Sequence, residues 1–190
     1  MDAEGFTPLH RAAQGANVVA IRYLPTNDAN DSILSSHAYD ALSLAVLYAE
    51  KHSLEVTKAS IAAIELLRHA IKARRYRIIR DSSRLELTLY HLAAARGLAN
   101  YIGELLKERK FHQLDVDCPN TDGITPMYLA QLFEKKEAIA TISYNPWKHV
   151  INIIKSHGGK MRYPAKDAEY NVIHTRMYGL IPIDFLLDFS

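Results

Sequence analysis

The feature that most constrains this fold is a short run near the amino terminus, GFTPLHRAA at residues 5–13. Thr7 followed by Pro8 is typical of a helix start, because the threonine hydroxyl accepts a hydrogen bond from a free backbone N–H and proline at the first helical position loses none. Gly5 suits a turn that needs a positive φ. The two alanines that end the run are small enough to let neighbouring helices approach closely.

Echoes of this run recur along the chain, and His10 serves as the marker of their register. The equivalent positions hold Ser43, His91, Tyr128 and Asp184. Successive markers lie 33, 48, 37 and 56 residues apart, so the second and fourth units contain insertions. Five matches in order indicate an internal repeat.

The run and its echoes resemble the signature of the ankyrin repeat, a unit of about 33 residues with a β-turn and two antiparallel helices. The resemblance implies an all-α solenoid of stacked helix-turn-helix units with β-hairpin or turn fingers, in which no unit buries its apolar face alone. It also implies that the marker histidine is structural and hydrogen-bonds within and between units. We expect one array over residues 1–190, with units near 2–35, 36–83, 84–118 and 119–165 and a partial unit over 166–190.

That last unit has a first helix and no second, and its end is apolar, whereas solenoid ends need polar capping units. We therefore expect the chain to be a fragment of a longer protein. The first unit is irregular as well, since Gly15 falls one place early and Pro25 closes the second helix. The dense turn signal over residues 115–123 joins units three and four and resembles a projecting finger of the family.

The two insertions predict lengthened helices. In unit two, apolar residues at helical spacing extend the second helix from about Leu54 to Arg80. In unit four, residues 133–141 extend the first helix. Residues 145–147 are typical of a cap and first turn for the helix that follows, and Gly158-Gly159 is typical of its end. Trp147 is expected to pack inside the array, with partner contact as the alternative.

Composition narrows the class of protein. The chain has 190 residues, 48% of them hydrophobic, which is ample for a continuous core between stacked helices. A net charge of +2 does not by itself favour a nucleic-acid or membrane partner. The single cysteine excludes internal disulfides and suits a reducing compartment. With no apolar run of membrane-spanning length and no secretory signal, we expect a soluble intracellular protein in the cytoplasm, with the nucleus as the alternative.

Catalytic and metal-binding patterns are weak. The nine histidines show neither an HExxH motif nor paired CxxC spacing. Gly158-Gly159-Lys160 lacks the spacing and strand context of a P-loop. We therefore expect no catalysis, no cofactor and no metal.

The ankyrin resemblance implies a binding groove lined by the fingers and by the positions four and five residues after each marker. Transferred to this chain, those positions predict six groove residues: Gln14, Leu47, Tyr48, Arg96, Leu132 and Phe133. Their apolar and arginine content is typical of interface hot spots. The alternative is that neighbouring segments cover these side chains and make them part of the core.

The most unusual local composition is a basic stretch over residues 72–84. Its cations are Lys72, Arg74, Arg75, Arg77, Arg80 and Arg84. Such a patch can bind phosphate groups, whereas the simpler interpretation is a solvated face at the end of a long helix, where cations are favoured. We thus predict a non-catalytic scaffold module that binds a peptide or protein partner in its groove. The alternatives are binding of nucleic acid or an anionic surface through residues 72–84, and a purely structural spacer.

Overall fold

A computed structural model of the chain describes residues 1–36, 39–48, 61–66, 68, 87–107, 115–137 and 145–162. This described part is helical and contains no strand, which confirms the all-α prediction. Its helices are α1 (Pro8–Gln14), α2 (Val18–Thr26), α3 (Ala41–Leu47), α4 (61–66), α5 (Leu89–Ala95), α6 (Ala99–Lys107), α7 (Pro126–Glu137) and α8 (Pro146–Ser156).

The helices begin where the sequence places their caps. Thr7 caps α1 and Pro8 is its first residue, as predicted. Asn145 caps α8, its side chain accepting a hydrogen bond from the backbone N–H of Lys148 at 2.9 Å. Asp40 does the same for α3 with the N–H of Ser43 at 2.7 Å. Each cap satisfies a backbone donor that the helix itself leaves free.

A residue with a positive φ follows several of the helices, and in the first unit that residue is not a glycine. Gly97 follows α5 with a φ of 70°, and Gly158 follows α8 with a φ of 87°, the predicted helix end. Six residues after its marker, the first unit has Ala16 where the third has Gly97, and Ala16 adopts a φ of 50°. Gly15 keeps a φ of −85°, so the irregularity predicted for this unit consists of an alanine in a conformation that favours glycine.

The helices form two layers. In the first layer α1 packs on α3, α3 on α5 and α5 on α7. In the second layer α6 packs on α8, and an ion pair of 3.1 Å joins Arg22 of α2 to Glu65 of α4. Within a unit, α1 contacts α2, α5 contacts α6 and α7 contacts α8.

Small residues at one register position allow the first-layer helices to pack closely. Two residues after each of the four described markers the chain has an alanine, and all four are buried: Ala12, Ala45, Ala93 and Ala130. The residue just before each of these four markers is large, apolar and buried: Leu9, Leu42, Tyr90 and Met127. This alternation of small and large side chains lets neighbouring helices interdigitate at the density of a protein interior.

The insertion in unit four lengthens its first helix. Helix α7 has 12 residues, whereas α1, α3 and α5 have seven each. The predicted extension over residues 133–141 is confirmed as far as Glu137, and residues 138–144 lie outside the described part. The long helix predicted from Leu54 to Arg80 is described only at residues 61–66 and 68, which are helical. The partial unit over 166–190 lies outside the described residues.

Trp147 is buried, as expected, with 1% of its surface exposed. Its indole N–H donates to the carbonyl of Ala95 at 2.8 Å and so ties α8 to the end of α5. None of the helices described here is both long and apolar enough to cross a membrane.

Exchanging alanine and glycine at the two left-handed positions tests the helix ends. Ala16→Gly should raise the free energy of unfolding by up to about 1 kcal/mol, because glycine relieves the strain of a positive φ. The larger conformational entropy of the unfolded glycine variant offsets part of this gain. Gly97→Ala should lower it by more than about 1 kcal/mol, since an added Cβ would lie 2.9 Å from Cβ of Pro146. Urea unfolding measures both changes.

The control for this pair is Ala20→Gly in the interior of α2, which should lower stability by roughly 0.5–1 kcal/mol. A loss of stability in Ala16→Gly equal to that in Ala20→Gly would show that Ala16 is not strained.

Candidate partner-binding surface

The first marker histidine joins two units by hydrogen bonds at both of its ring nitrogens. Nδ1 of His10 accepts from the backbone N–H of Thr7 at 3.1 Å and lies 2.7 Å from the Thr7 hydroxyl. Nε2 donates to the backbone carbonyl of Tyr39 at 3.0 Å, just before the cap of α3. Because a backbone N–H can only donate, Nδ1 must be unprotonated and the neutral ring carries its proton on Nε2.

The third unit repeats this arrangement. Nδ1 of His91 accepts from the N–H of Thr88 at 3.1 Å, and Nε2 donates to the carbonyl of Ile124 at 2.9 Å. His91 is fully buried, and this burial lowers its pKa to about 4 against the opposing effect of the Ile124 carbonyl. Burial also lowers the pKa of His10. We call each such contact a histidine bridge: the marker imidazole links its own helix cap to the loop before the next first helix.

The loops before the first helices share a second register position, eight residues before the marker. Asp2 Oδ1 accepts from the N–H groups of Glu4 and Phe6 at 3.0 and 2.9 Å. Asn120 Oδ1 accepts from the equivalent N–H groups of Asp122 and Ile124 at 3.0 and 2.8 Å. The two turns therefore have the same hydrogen-bond pattern, although one uses a carboxylate and the other an amide.

Ser35 occupies this position in the second unit, where its hydroxyl accepts from the N–H of Tyr39 at 3.2 Å. The first two turns also contact each other, since the N–H of Ser36 donates to the carbonyl of Glu4 at 3.1 Å. Gly5 lies at this contact with a φ of 72°, where a Cβ would come within 2.9 Å of the Ser36 nitrogen. The first two turns therefore lie against each other.

The structure brings two of the predicted groove residues together. The side-chain amide of Gln14 donates to the hydroxyl of Tyr48 at 3.2 Å. Gln14 ends α1, Tyr48 follows α3, and both side chains are half-buried. The two residues come from consecutive units and share one surface next to the turns. Leu132, on α7, is also half-buried and packs against the core at its edge.

Three other predicted groove residues are buried, so their assignment to the groove is corrected. Leu47 and Phe133 are 1% and 0% exposed and belong to the apolar core, as the alternative interpretation held. Arg96 is 7% exposed at the end of α5. Position relative to the marker gave their distance along the helix correctly, but neighbouring helices cover these side chains.

Arg11 organises the exposed part of this surface, although it was not among the predicted groove residues. Its guanidinium donates to Asp2 at 2.9 Å, to Glu4 at 2.8 Å and to Gln14 at 2.9 Å. It also lies 4.5 Å from the centre of the Phe6 ring. The signal was present in the register, because Arg11 directly follows the first marker and its side chain points away from the buried face.

We define the groove surface by the predicted positions that are partly exposed, Gln14, Tyr48 and Leu132, together with Arg11, which contacts Gln14. Three of these side chains are already held in place, because Arg11 donates a hydrogen bond to Gln14 and Gln14 donates one to Tyr48. Such a surface offers an aromatic ring, an amide and a guanidinium, which are side chains that recognise peptide groups. The basic stretch, with Lys72, Arg74, Arg75, Arg77, Arg80 and Arg84, lies outside the described residues.

Within the same described ranges, no cluster of three or more histidine, cysteine or acidic side chains has a geometry suited to a metal ion. Cys118 is half-buried in the turn that precedes α7, with its thiol 3.6 Å from the carbonyl of Pro119. The chain matches no protein-family model, and no curated protein matches it in sequence.

Buried His91 makes the stability of the fold depend on pH. Its pKa is about 4 in the folded protein and about 6.5 when unfolded, so the unfolded state binds more protons between these values. The free energy of unfolding should therefore fall as pH falls from about 6.5 to about 4, with His91 contributing about 3 kcal/mol of the loss.

Urea unfolding at several pH values, compared between the native chain and His91→Gln, isolates this contribution. The variant should be less stable at pH 7 and should lose less stability in acid. Partial burial raises the pKa of Asp40 and acts in the opposite direction, but it is present in both proteins and cancels in the difference. Val19→Ala, at an exposed site without an ionisable side chain, should keep the native pH dependence; an unchanged slope in His91→Gln would refute the assignment.

Proposed function

We propose that the helices stack as an ankyrin-repeat solenoid with turn fingers and that the chain is a non-catalytic module that binds a peptide or protein. The histidine bridges at His10 and His91 support the solenoid, because each links one unit to the next at an equivalent place. The turns of equal geometry at Asp2 and Asn120 support it as well. The observation that carries the functional proposal is the contact between Gln14 and Tyr48.

This contact matters because the two residues belong to different units yet form one surface. A single peptide lying across the first-layer helices would contact both of them. Tyr48 offers a ring that is already held in place by Gln14, so little side-chain entropy remains to be lost on binding. The apolar edge at Leu132 lies at the corresponding position of α7 and would contact a longer partner.

The alternative functions involve other parts of the chain. Binding of nucleic acid or an anionic surface would use the basic stretch over residues 72–84 and would weaken steeply with salt. The spacer hypothesis involves no ligand at all. Both differ from groove binding in how they respond to substitutions at Gln14 and Tyr48.

Selection of binding peptides from a displayed random library against the full chain tests the proposal. Tyr48→Ala should weaken the selected peptides at least about tenfold, since central aromatic residues dominate interfaces. Gln14→Ala should weaken them less, because it removes a smaller contact with the peptide and releases the Tyr48 side chain. Dissociation constants are measured by calorimetry.

Tyr23→Ala is the matched control, because Tyr23 is an exposed tyrosine on α2, in the other helix layer. It should leave the affinity unchanged. Equal losses in Tyr48→Ala and Tyr23→Ala would contradict a groove-specific site. Loss of binding only on charge reversal at Arg74, Arg75 and Arg77 would favour the basic stretch instead.

A further inference from the structure

We propose that the junction between the second and third units is a weak seam, at which the array divides into two halves that unfold separately. The first half contains α1 to α4 and the second contains α5 to α8. The proposal rests on contacts inside the chain and does not depend on the proposed partner.

The histidine bridge is missing at this junction. The first junction has the bridge from His10 to the Tyr39 carbonyl, and the third has the bridge from His91 to the Ile124 carbonyl. At the middle junction the marker is Ser43, which is 0% exposed and whose hydroxyl interacts with the Asp40 carboxylate at the cap of its own helix. A serine side chain is too short to replace the imidazole, so this marker does not bond to the next unit.

An unpaired hydroxyl lies in the same region. Tyr101 of α6 is 1% exposed, and its phenol oxygen has no hydrogen-bond partner. Asp40, which caps α3, lies close enough for its charge to act on this phenol from the other side of the junction. A buried polar group without a partner reduces stability, because it loses its bonds to water and gains none. Tyr101 is such a group on the α6 side of the seam.

Packing across the seam is also the least extensive in the first layer. Helix α3 contacts α5 less than α1 contacts α3 or α5 contacts α7. In the second layer, an ion pair of 3.6 Å connects Arg68 to Glu104, and the arginine is largely exposed. Exposed ion pairs contribute little to stability, so this pair does not compensate for the missing bridge.

Each half has further internal links besides its histidine bridge. In the first half, the turns contact each other through Ser36 and Glu4. In the second half, Trp147 bonds to the Ala95 carbonyl, and Pro146 packs on Gly97. In a repeat array, stability is a sum of unit and interface contributions, so the weakest interface sets where cooperativity breaks. Among the first-layer contacts of the described residues, that interface is the one between α3 and α5.

The position of the only tryptophan allows a direct test with the full chain. Fluorescence of Trp147 reports the second half, whereas far-UV circular dichroism reports all helices. In urea, the circular dichroism should show two transitions, of which the fluorescence follows one. His10→Ala should shift the transition that fluorescence does not follow, by about 0.5–1 M, and His91→Ala should shift the one that it does.

The proposal is overturned if both probes give one coincident transition that His10→Ala and His91→Ala shift equally. Should His91→Ala fail to fold, native-state hydrogen exchange of the unmodified chain decides instead: amides of α1 to α3 should share one opening free energy and those of α5 to α8 another. A single shared value would overturn it as well. Ser43→Ala should leave the two transitions separate, because the Ser43 hydroxyl interacts within its own unit and not across the seam. A single transition in this variant would contradict that assignment.

Discussion

A buried imidazole that bonds at both nitrogens is the interaction on which the arrangement of this chain depends. At one nitrogen His91 accepts the free N–H at the start of its own helix, and at the other it donates to the carbonyl of Ile124 before the next first helix. The first bond fixes the side chain, and the second fixes the next unit relative to it. Only a neutral ring with its proton on Nε2 can do both, so burial and function of the residue are linked.

Other features follow from the distance that the bridge sets. The first-layer helices pack closely, with an alanine two positions after each of the four described markers, including His10 and His91. The loop that receives the bridge must present a carbonyl in a fixed place. The turns at Ser35 and Asn120, which receive the two bridges, do this by closing on themselves through a side-chain oxygen. Where the marker is Ser43, the same helices pack without this constraint, and the contact between them is less extensive.

Local chemistry made the helix starts predictable, whereas burial depended on neighbours that the sequence does not specify. Thr7-Pro8 and Asn145-Pro146 are capped as expected, because a cap involves residues within one turn. Leu47 and Phe133 have the predicted register but are core residues, since exposure depends on which helix lies above them. The position that the turns share, eight residues before the marker, was not predicted, because aspartate, serine and asparagine all supply the side-chain acceptor there. Ala16 was missed because its φ follows from the register of the unit and not from residue type.

The protonation state of His91 tests the account most directly. Long-range ¹H–¹⁵N spectra of the folded chain near pH 6 distinguish the neutral tautomers of histidine from the charged ring. The histidine bridge requires a neutral His91 with its proton on Nε2 and an unprotonated Nδ1, and the same tautomer for His10. A charged ring at that pH, or a proton on Nδ1 of His91, would be incompatible with the bond from Thr88 and would contradict the histidine bridge.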